Sequence, residues 1–464
     1  KKANIIRPPR ITQSNNQERE REKMMKRVAT NVAKLSTTQQ QQQKILIRSF
    51  STTHITQQQD ESHQTNIVGQ IVSRLMSSQK DGKQRQADLL SLRTLMDKDP
   101  THIAEVIQQA SKAGAELRYN RINPLLQPRF MKQPVTVVVT GASGQIAYSL
   151  IPRILTGEVF GYDTPINLRL VDIADMENAT KGVAMEVTDC AFPLLNDLQV
   201  GSSDNLWKGA HYAFLVGAKP RGKGMERADL LRDNGAIFQK QGQLLSQHAN
   251  SACLTLVVGN PANTNAMIAA NNASKLDKMQ FAAMTRLDHD RALAQVADKI
   301  GVGVGQLSNF TIWGNHSLTQ VPDVTHAKVW YEDGTSKPVT QLVDAKWVEE
   351  TFTPAVQQRG AAIINARGSS SAASAADAAL KHMADWAKGF SQEQKNRNDW
   401  TSMAFPIDGV AGSKGVWVSV PVVCEGNGKV KIVEGVLDKS IEPKVKKSVA
   451  ELESERSSVK NLLK

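Results

Sequence analysis

The sequence predicts an α/β protein: a doubly wound parallel sheet followed by a second α+β domain, both preceded by a partly disordered, partly helical N-terminal extension. Three observations predict it. From Val135 onward, apolar β-branched runs alternate with helical periodicity. A glycine-rich turn joins the first such strand to the first such helix. The charge of the chain divides sharply at the same boundary.

The extension comes first. Residues 1–60 are polar, rich in Arg, Lys, Ser and Thr, and carry the run Gln39 to Gln43. Such a composition buries too little apolar surface to offset the entropy of ordering. Glu18, Glu20 and Glu22 are the only acids before Asp60. This matches a mitochondrial targeting composition, and Arg48-Ser49-Phe50-Ser51-Thr52-Thr53 resembles a processing site. That reading places the protein in the mitochondrial matrix. A low-complexity tail without an address fits the same residues and leaves the protein cytoplasmic. The chain opens on Lys1 rather than Met, so either a start is missing or a segment has been removed.

Over 62–118 the pattern changes. Ile67, Val68, Ile71, Val72, Leu75 and Met76 follow helical spacing, and Leu89, Leu90, Leu92, Leu95 and Met96 do so again. Asp99-Pro100 reads as an N-cap followed by proline at the first helical position. Two or three amphipathic helices follow. Residues 1–133 thus form an extension whose apolar stripes cover the body or dock a protein partner; the sequence leaves both open.

The formal charge of +12 belongs to this extension. Residues 1–134 hold 23 Lys and Arg against 11 Asp and Glu, while the rest of the chain holds 34 of each sign. The body therefore offers no electrostatic reason to bind nucleic acid. No run of about 18 apolar residues is present, so no membrane span is expected. Cys190, Cys253 and Cys424 are too scattered for a disulfide framework or a metal cluster, and no metal site is expected.

The body begins with the strand Val135 to Val139 and the helix Gln145 to Leu155. Further strands are expected at Asn167 to Ile173, Phe214 to Val216 and Leu254 to Val258, which sets a first domain over 134–289. Past Asp290 the reading is mixed. Helices over Ala355 to Ile364 and Ser370 to Trp386, with strands near Val416 to Val423 and Val430 to Val433, suit a second domain over 290–464.

Three constellations carry chemistry. The first is Thr140-Gly141-Ala142-Ser143-Gly144-Gln145-Ile146-Ala147, between strand and helix. Glycines there permit a tight turn and close approach of a pyrophosphate to the N–H groups of a helix N-terminus. A structural glycine turn fits the string equally until the next strand is read: it ends in Leu170-Val171-Asp172. An acid there accepts from ribose hydroxyls and repels a 2′-phosphate, favouring NAD over NADP.

The second is Lys219-Pro220-Arg221-Gly222-Lys223-Gly224-Met225-Glu226-Arg227. Two arginines six apart can each clamp a carboxylate, and the glycines suit a loop that closes over a substrate. A solvated basic loop is the plainer alternative. The third is Thr285-Arg286-Leu287-Asp288-His289-Asp290-Arg291, with Trp313-Gly314-Asn315-His316-Ser317 beyond it. His316 is a candidate proton carrier and Asp288 a candidate partner. Arg291, three residues after Asp288, shares its side of a helix. No spacing rule selects His316 over His289.

These strings, with Gly259-Asn-Pro-Ala-Asn-Thr-Asn265 and Arg359-Gly-Ala-Ala-Ile-Ile-Asn-Ala-Arg-Gly368, resemble malate dehydrogenases of the branch containing cytosolic and some bacterial enzymes. The resemblance runs from about Val135 to Leu463 and leaves the extension unexplained. It implies a Rossmann-type NAD-binding domain and reversible oxidation of malate to oxaloacetate. It implies His316 as acid/base with Asp288 as partner, Arg291 on the C1 carboxylate, and Arg221 and Arg227 on the distal carboxylate and carbonyl oxygen. Asn260 would contact substrate and coenzyme, and Asn234 the nicotinamide side. Gly141, Gly144, Gln145, Ile146, Ala147, Asp172 and Gly259 would complete the coenzyme site. It further implies a homodimer and a place in the tricarboxylic acid cycle. Related lactate enzymes carry a neutral residue in place of Arg221, and lactate dehydrogenase activity is the narrow alternative. A malate-dehydrogenase-like subunit docked into a larger assembly through residues 1–133 is the broader one. Ser143, where alanine is common, is expected to lie apart from the chemistry.

Overall fold

The structure, a computed structural model, describes residues 132–219 and 227–463, with the backbone alone for 227–230. The expected tail, targeting segment, helices over 62–118 and docking module lie outside the described residues, as does Arg221.

The strand β1 (Val135–Thr140) is buried along nearly its whole length, as its β-branched run requires for the centre of a parallel sheet. It pairs in parallel with β2 (Ile166–Val171) on one side and with β4 (Tyr212–Leu215) on the other. β3 (Leu195–Gly201) continues beyond β2, and β5 (Leu254–Val257) and β6 (Phe281–Ala283) continue beyond β4. The order is therefore β3-β2-β1-β4-β5-β6. Leaving β1, the chain winds outward to β2 and β3, then crosses back to β4. The carboxyl ends of β1 and β4 thus flank a topological switch point, where ligands bind in doubly wound sheets. This is the expected Rossmann-type arrangement.

The helices α1 (Gln145–Leu155), α2 (Glu177–Asp189), α3 (Arg227–His248), α4 (Ala262–Asn271) and α5 (Arg286–Ile300) follow β1, β2, β4, β5 and β6 respectively. α1 buries Ala147, Leu150, Ile151, Ile154 and Leu155, the i, i+3, i+4 face that its sequence spells out.

After α5 the chain builds smaller pieces. β7 (Leu307–Ser308), β10 (Lys328–Trp330) and β11 (Ser336–Pro338) make a three-stranded antiparallel sheet, and β8 (Thr311–Trp313) pairs with β9 (Val321–Asp323). Two longer helices follow, α6 (Thr353–Arg367) and α7 (Ala373–Lys388). The strands β12 (Thr401–Pro406), β13 (Trp417–Gly426) and β14 (Lys429–Ile432) then add antiparallel to β6, making one nine-stranded sheet. α8 (Glu442–Ser458) closes the body. The sheet core takes in both halves of the chain, including Val138, Phe214, Leu256, Trp386 and Phe405. A second cluster, with Val296, Phe310, Ile312, Val329, Phe352 and Val356, lies under α5 and the small sheet. No described helix is long and apolar enough to cross a membrane.

Candidate active site

The loop after β1 is shaped by its first glycine. Gly141 adopts φ +62°, and a Cβ there would stand 2.5 Å from the Cα of Gly217, at the end of β4. The two strand ends can approach this closely only because both residues lack side chains. Gly144 is the N-cap of α1, with no side chain capping the helix. The first amides of α1, from Gln145 and Ile146, therefore meet no competing internal acceptor from a cap and suit an anion. Ala147 is fully buried beneath them.

Asp172 stands just past β2. Its Oδ2 accepts the main-chain N–H of Ser143 at 2.9 Å and the Ser143 hydroxyl at 2.7 Å, and its Oδ1 accepts the N–H of Ile173 at 2.9 Å. The acid is thus tied to the glycine loop. Ser143 lies apart from His316 and Asp288, but its hydroxyl helps hold the Asp172 carboxylate.

On the far side of the crevice, Asn234 on α3 is fully buried. Its Oδ1 accepts the N–H of Lys219 at 2.7 Å, and its Nδ2 donates to the carbonyls of Lys219 at 3.1 Å and Asn260 at 3.0 Å. It joins the loop after β4 to the loop after β5. Gly259 leaves no room for a side chain, since a Cβ would meet Phe238 at 2.8 Å and Ala218 at 2.9 Å. Arg227 is the first residue of α3.

The polar centre lies where α5 meets the turn after β8. Nδ1 of His316 is hydrogen-bonded to Oδ2 of Asp288, across 28 residues of sequence. Oδ1 of Asp288 accepts from Nη1 of Arg291 at 3.1 Å, one turn along α5. Asp288 is wholly buried, while the His316 side chain keeps 17% of its surface exposed. Burial opposes the charge of both groups. On His316 the Asp288 carboxylate outweighs burial and raises the pKa above its ordinary value. On Asp288 the His316 ring and the Arg291 guanidinium outweigh it and lower the pKa.

His289, the competing histidine, has a different place. It is buried, its Nδ1 lies 3.0 Å from Ser402 Oγ, and burial with the nearby Arg286 charge pushes its pKa down to about 3. It is a neutral core residue. The structure also shows what the motif reading missed. Asn263, fully buried at the start of α4, accepts the main-chain N–H of His316 on its Oδ1 at 3.0 Å and donates to the carbonyl of Trp417 at 2.8 Å. Its signal was present in the Gly259–Asn265 string, but nothing there ranked Asn263 beside Asn260.

Two family descriptions match this chain: the NAD binding domain of lactate/malate dehydrogenase over residues 135–282, and the alpha/beta C-terminal domain of the same family over 285–463. The chain belongs to the lactate/malate dehydrogenase family. It is similar to the malate dehydrogenase of Naegleria fowleri, with 48% identity and a TM-score of 0.67, covering 72% of this chain and 100% of that one. It is also similar to the Trichomonas vaginalis lactate dehydrogenase solved with NADH and oxamate, with 34% identity and a TM-score of 0.67, covering 71% of this chain and 98% of that one. The malate dehydrogenase of Plasmodium falciparum shares the fold at 22% identity and a TM-score of 0.58, covering 71% of this chain and 100% of that one. The protein is accordingly an NAD-dependent oxidoreductase of this family. The glycine contact of β1 with β4 and the uncapped start of α1 fit that coenzyme.

Proposed function

We propose that this dehydrogenase interconverts malate and oxaloacetate. The observation that carries the choice of a dicarboxylate is Arg221, six residues before Arg227 in the segment after β4. A second carboxylate clamp, added to Arg291, makes sense for a second carboxylate, because an unpaired buried guanidinium is costly. The 48% identity with a malate dehydrogenase, against 34% with a lactate dehydrogenase, supports the same reading.

In this reading Arg291 grips the carboxylate beside the reacting carbon, bidentately as a planar guanidinium can. Arg221 and Arg227 take the distal carboxylate and the carbonyl oxygen. Asn260 contacts substrate and coenzyme, and Asn234 holds the Asn260 loop on the nicotinamide side. NAD, when bound, supplies the hydride acceptor. His316 keeps its Nδ1 proton on Asp288, which leaves Nε2 as the acceptor for the C2 hydroxyl proton. The Asp288 charge favours the imidazolium that results. In the reverse direction the imidazolium returns that proton to the oxygen of oxaloacetate.

Arg221→Gln tests the proposal. The expected outcome is a fall of about 10³-fold or more in kcat/KM for oxaloacetate, the scale at which sites built for a polar group reject its loss. Affinity for NADH stays near that of the unaltered protein. Unchanged oxaloacetate turnover would sink the assignment.

A further inference from the structure

Ser448, Glu451 and Glu455 follow one another at spacings of three and four residues on α8, so they share a face of that helix. The face meets the turn that carries His316. Ser448 Oγ accepts the main-chain N–H of Asn315 at 2.8 Å and lies 2.9 Å from the Thr319 hydroxyl oxygen. Glu451 Oε2 accepts from the hydroxyls of Ser317 at 2.5 Å and Thr319 at 2.6 Å, and from Nδ2 of Asn315 at 3.1 Å. Gly314, with φ +90°, is what lets the turn come so near: a Cβ there would stand 2.3 Å from Ser448 Oγ.

Glu455 does more than grip the turn. Its Oε1 accepts Nδ2 of Asn315 at 3.2 Å, and its Oε2 accepts the hydroxyl of Thr264 at 2.5 Å. Thr264 lies in the first turn of α4, next to Asn263, which holds the His316 amide. One carboxylate thus bridges the first turn of α4, directly after the Asn260 loop, and the turn bearing His316. Glu455 is 5% exposed, Asn315 2% and Thr264 1%. Hydrogen bonds to a carboxylate are stronger than neutral ones, and a dry setting strengthens them further.

We propose that Glu455 is a positioning residue for catalysis: it fixes the separation of the His316 turn from the Asn260 loop. Asp288 orients the His316 ring, and the α8 clasp orients the backbone from which that ring projects. The inference rests on the reading of His316 as the acid/base. It also gives the C-terminal helix a part in turnover, although no residue of α8 reaches the reacting atoms in this account.

The test compares Glu455→Gln, Glu451→Gln, Thr264→Val and Thr264→Ser in the full chain. It reads kcat and KM for oxaloacetate, NADH affinity by fluorescence titration, and melting temperature. Glu455→Gln and Thr264→Val are each expected to lower kcat about tenfold or more, since small misplacements of a reacting group cost rate steeply. NADH affinity should stay within about twofold, because the glycine loop and Asp172 are untouched. Thr264→Ser keeps the hydroxyl and should retain the original kcat. Unchanged kcat in Glu455→Gln and Thr264→Val overturns the proposal, and so does an equal loss of kcat and NADH affinity, which marks general loosening. Should Glu455→Gln fail to fold, Thr264→Val and the half-buried Glu451→Gln carry the same test, and unchanged kcat in both overturns it. The unaltered protein and His316→Gln run in parallel. A preference for pyruvate in the unaltered protein contradicts the malate reading alone, and the clasp is then judged on pyruvate turnover. Full turnover in His316→Gln removes the clasp's basis.

Discussion

Nη1 of Arg291 lies 3.1 Å from one oxygen of Asp288, while the other oxygen of that carboxylate holds the ring of His316. A single buried acid therefore fixes both the cation that would grip a substrate carboxylate and the group that would carry its proton. The two tasks share one geometry because Asp288 and Arg291 are a turn apart on α5.

Asp288→Asn keeps the shape and removes the charge. The amide can present a donor to Nδ1 of His316 and force the wrong tautomer, and it no longer balances Arg291. By analogy with the serine-protease triad, kcat is expected to fall by about 10²–10⁴-fold. NADH affinity should be retained. Steady-state kinetics with a parallel NADH titration checks this, and a loss of less than about fivefold would contradict the role given to Asp288.

The direction of the His316 shift sets the pH dependence. Malate oxidation needs the neutral ring, so its kcat/KM should rise with pH through a midpoint above the ordinary histidine value. Oxaloacetate reduction needs the imidazolium and should fall through the same midpoint. Asp288→Asn should move that midpoint down in whatever activity remains. Stability follows the same signs. The raised His316 pKa contributes stability that is full below its unfolded value and lost as pH rises through the folded one. The lowered Asp288 pKa contributes stability that is present above its unfolded value and lost as pH falls through the folded one. Rate profiles in both directions and melting curves across pH measure these midpoints.

Gly141→Ala should damage the coenzyme loop. The positive φ and the backbone of Gly217 leave a methyl group no space without a shift of the β1 or β4 end. A loss of about 1–3 kcal/mol in stability is expected for a side chain held in that region. NADH affinity should fall at least tenfold as the loop moves away from the start of α1. Melting and NADH titration both report on it, and a variant identical to the original in both would refute the tight-turn account.

Much of this was legible in the sequence, for physical reasons that differ from place to place. α1 runs over the expected Gln145–Leu155 because its apolar face repeats at helical spacing. β3 escaped because Leu195–Gly201 is only partly buried along the sheet edge and shows no alternation. β6 escaped because three residues are too few for any period to show. The strands β13 and β14 look from sequence like part of a second domain, yet they extend the first sheet through β12, a strand the sequence reading did not expect, since register with β6 is a tertiary fact. His316 and His289 stayed indistinguishable by spacing. The fold separates them by burial: one is paired with Asp288 and partly exposed, the other is sealed against Ser402. Asn263, Ser448, Glu451 and Glu455 act through backbone and neighbouring hydroxyls, contacts that only folding brings together.

The roles given to Arg221, Arg227 and Arg291 require that this NAD-dependent dehydrogenase take a dicarboxylate. Steady-state kinetics of the full chain with NADH, on oxaloacetate and on pyruvate, tests it most directly. The kcat/KM for oxaloacetate should exceed that for pyruvate by about 10³-fold or more, as befits a site with an additional cation to satisfy. Equal values, or a preference for pyruvate, would contradict it.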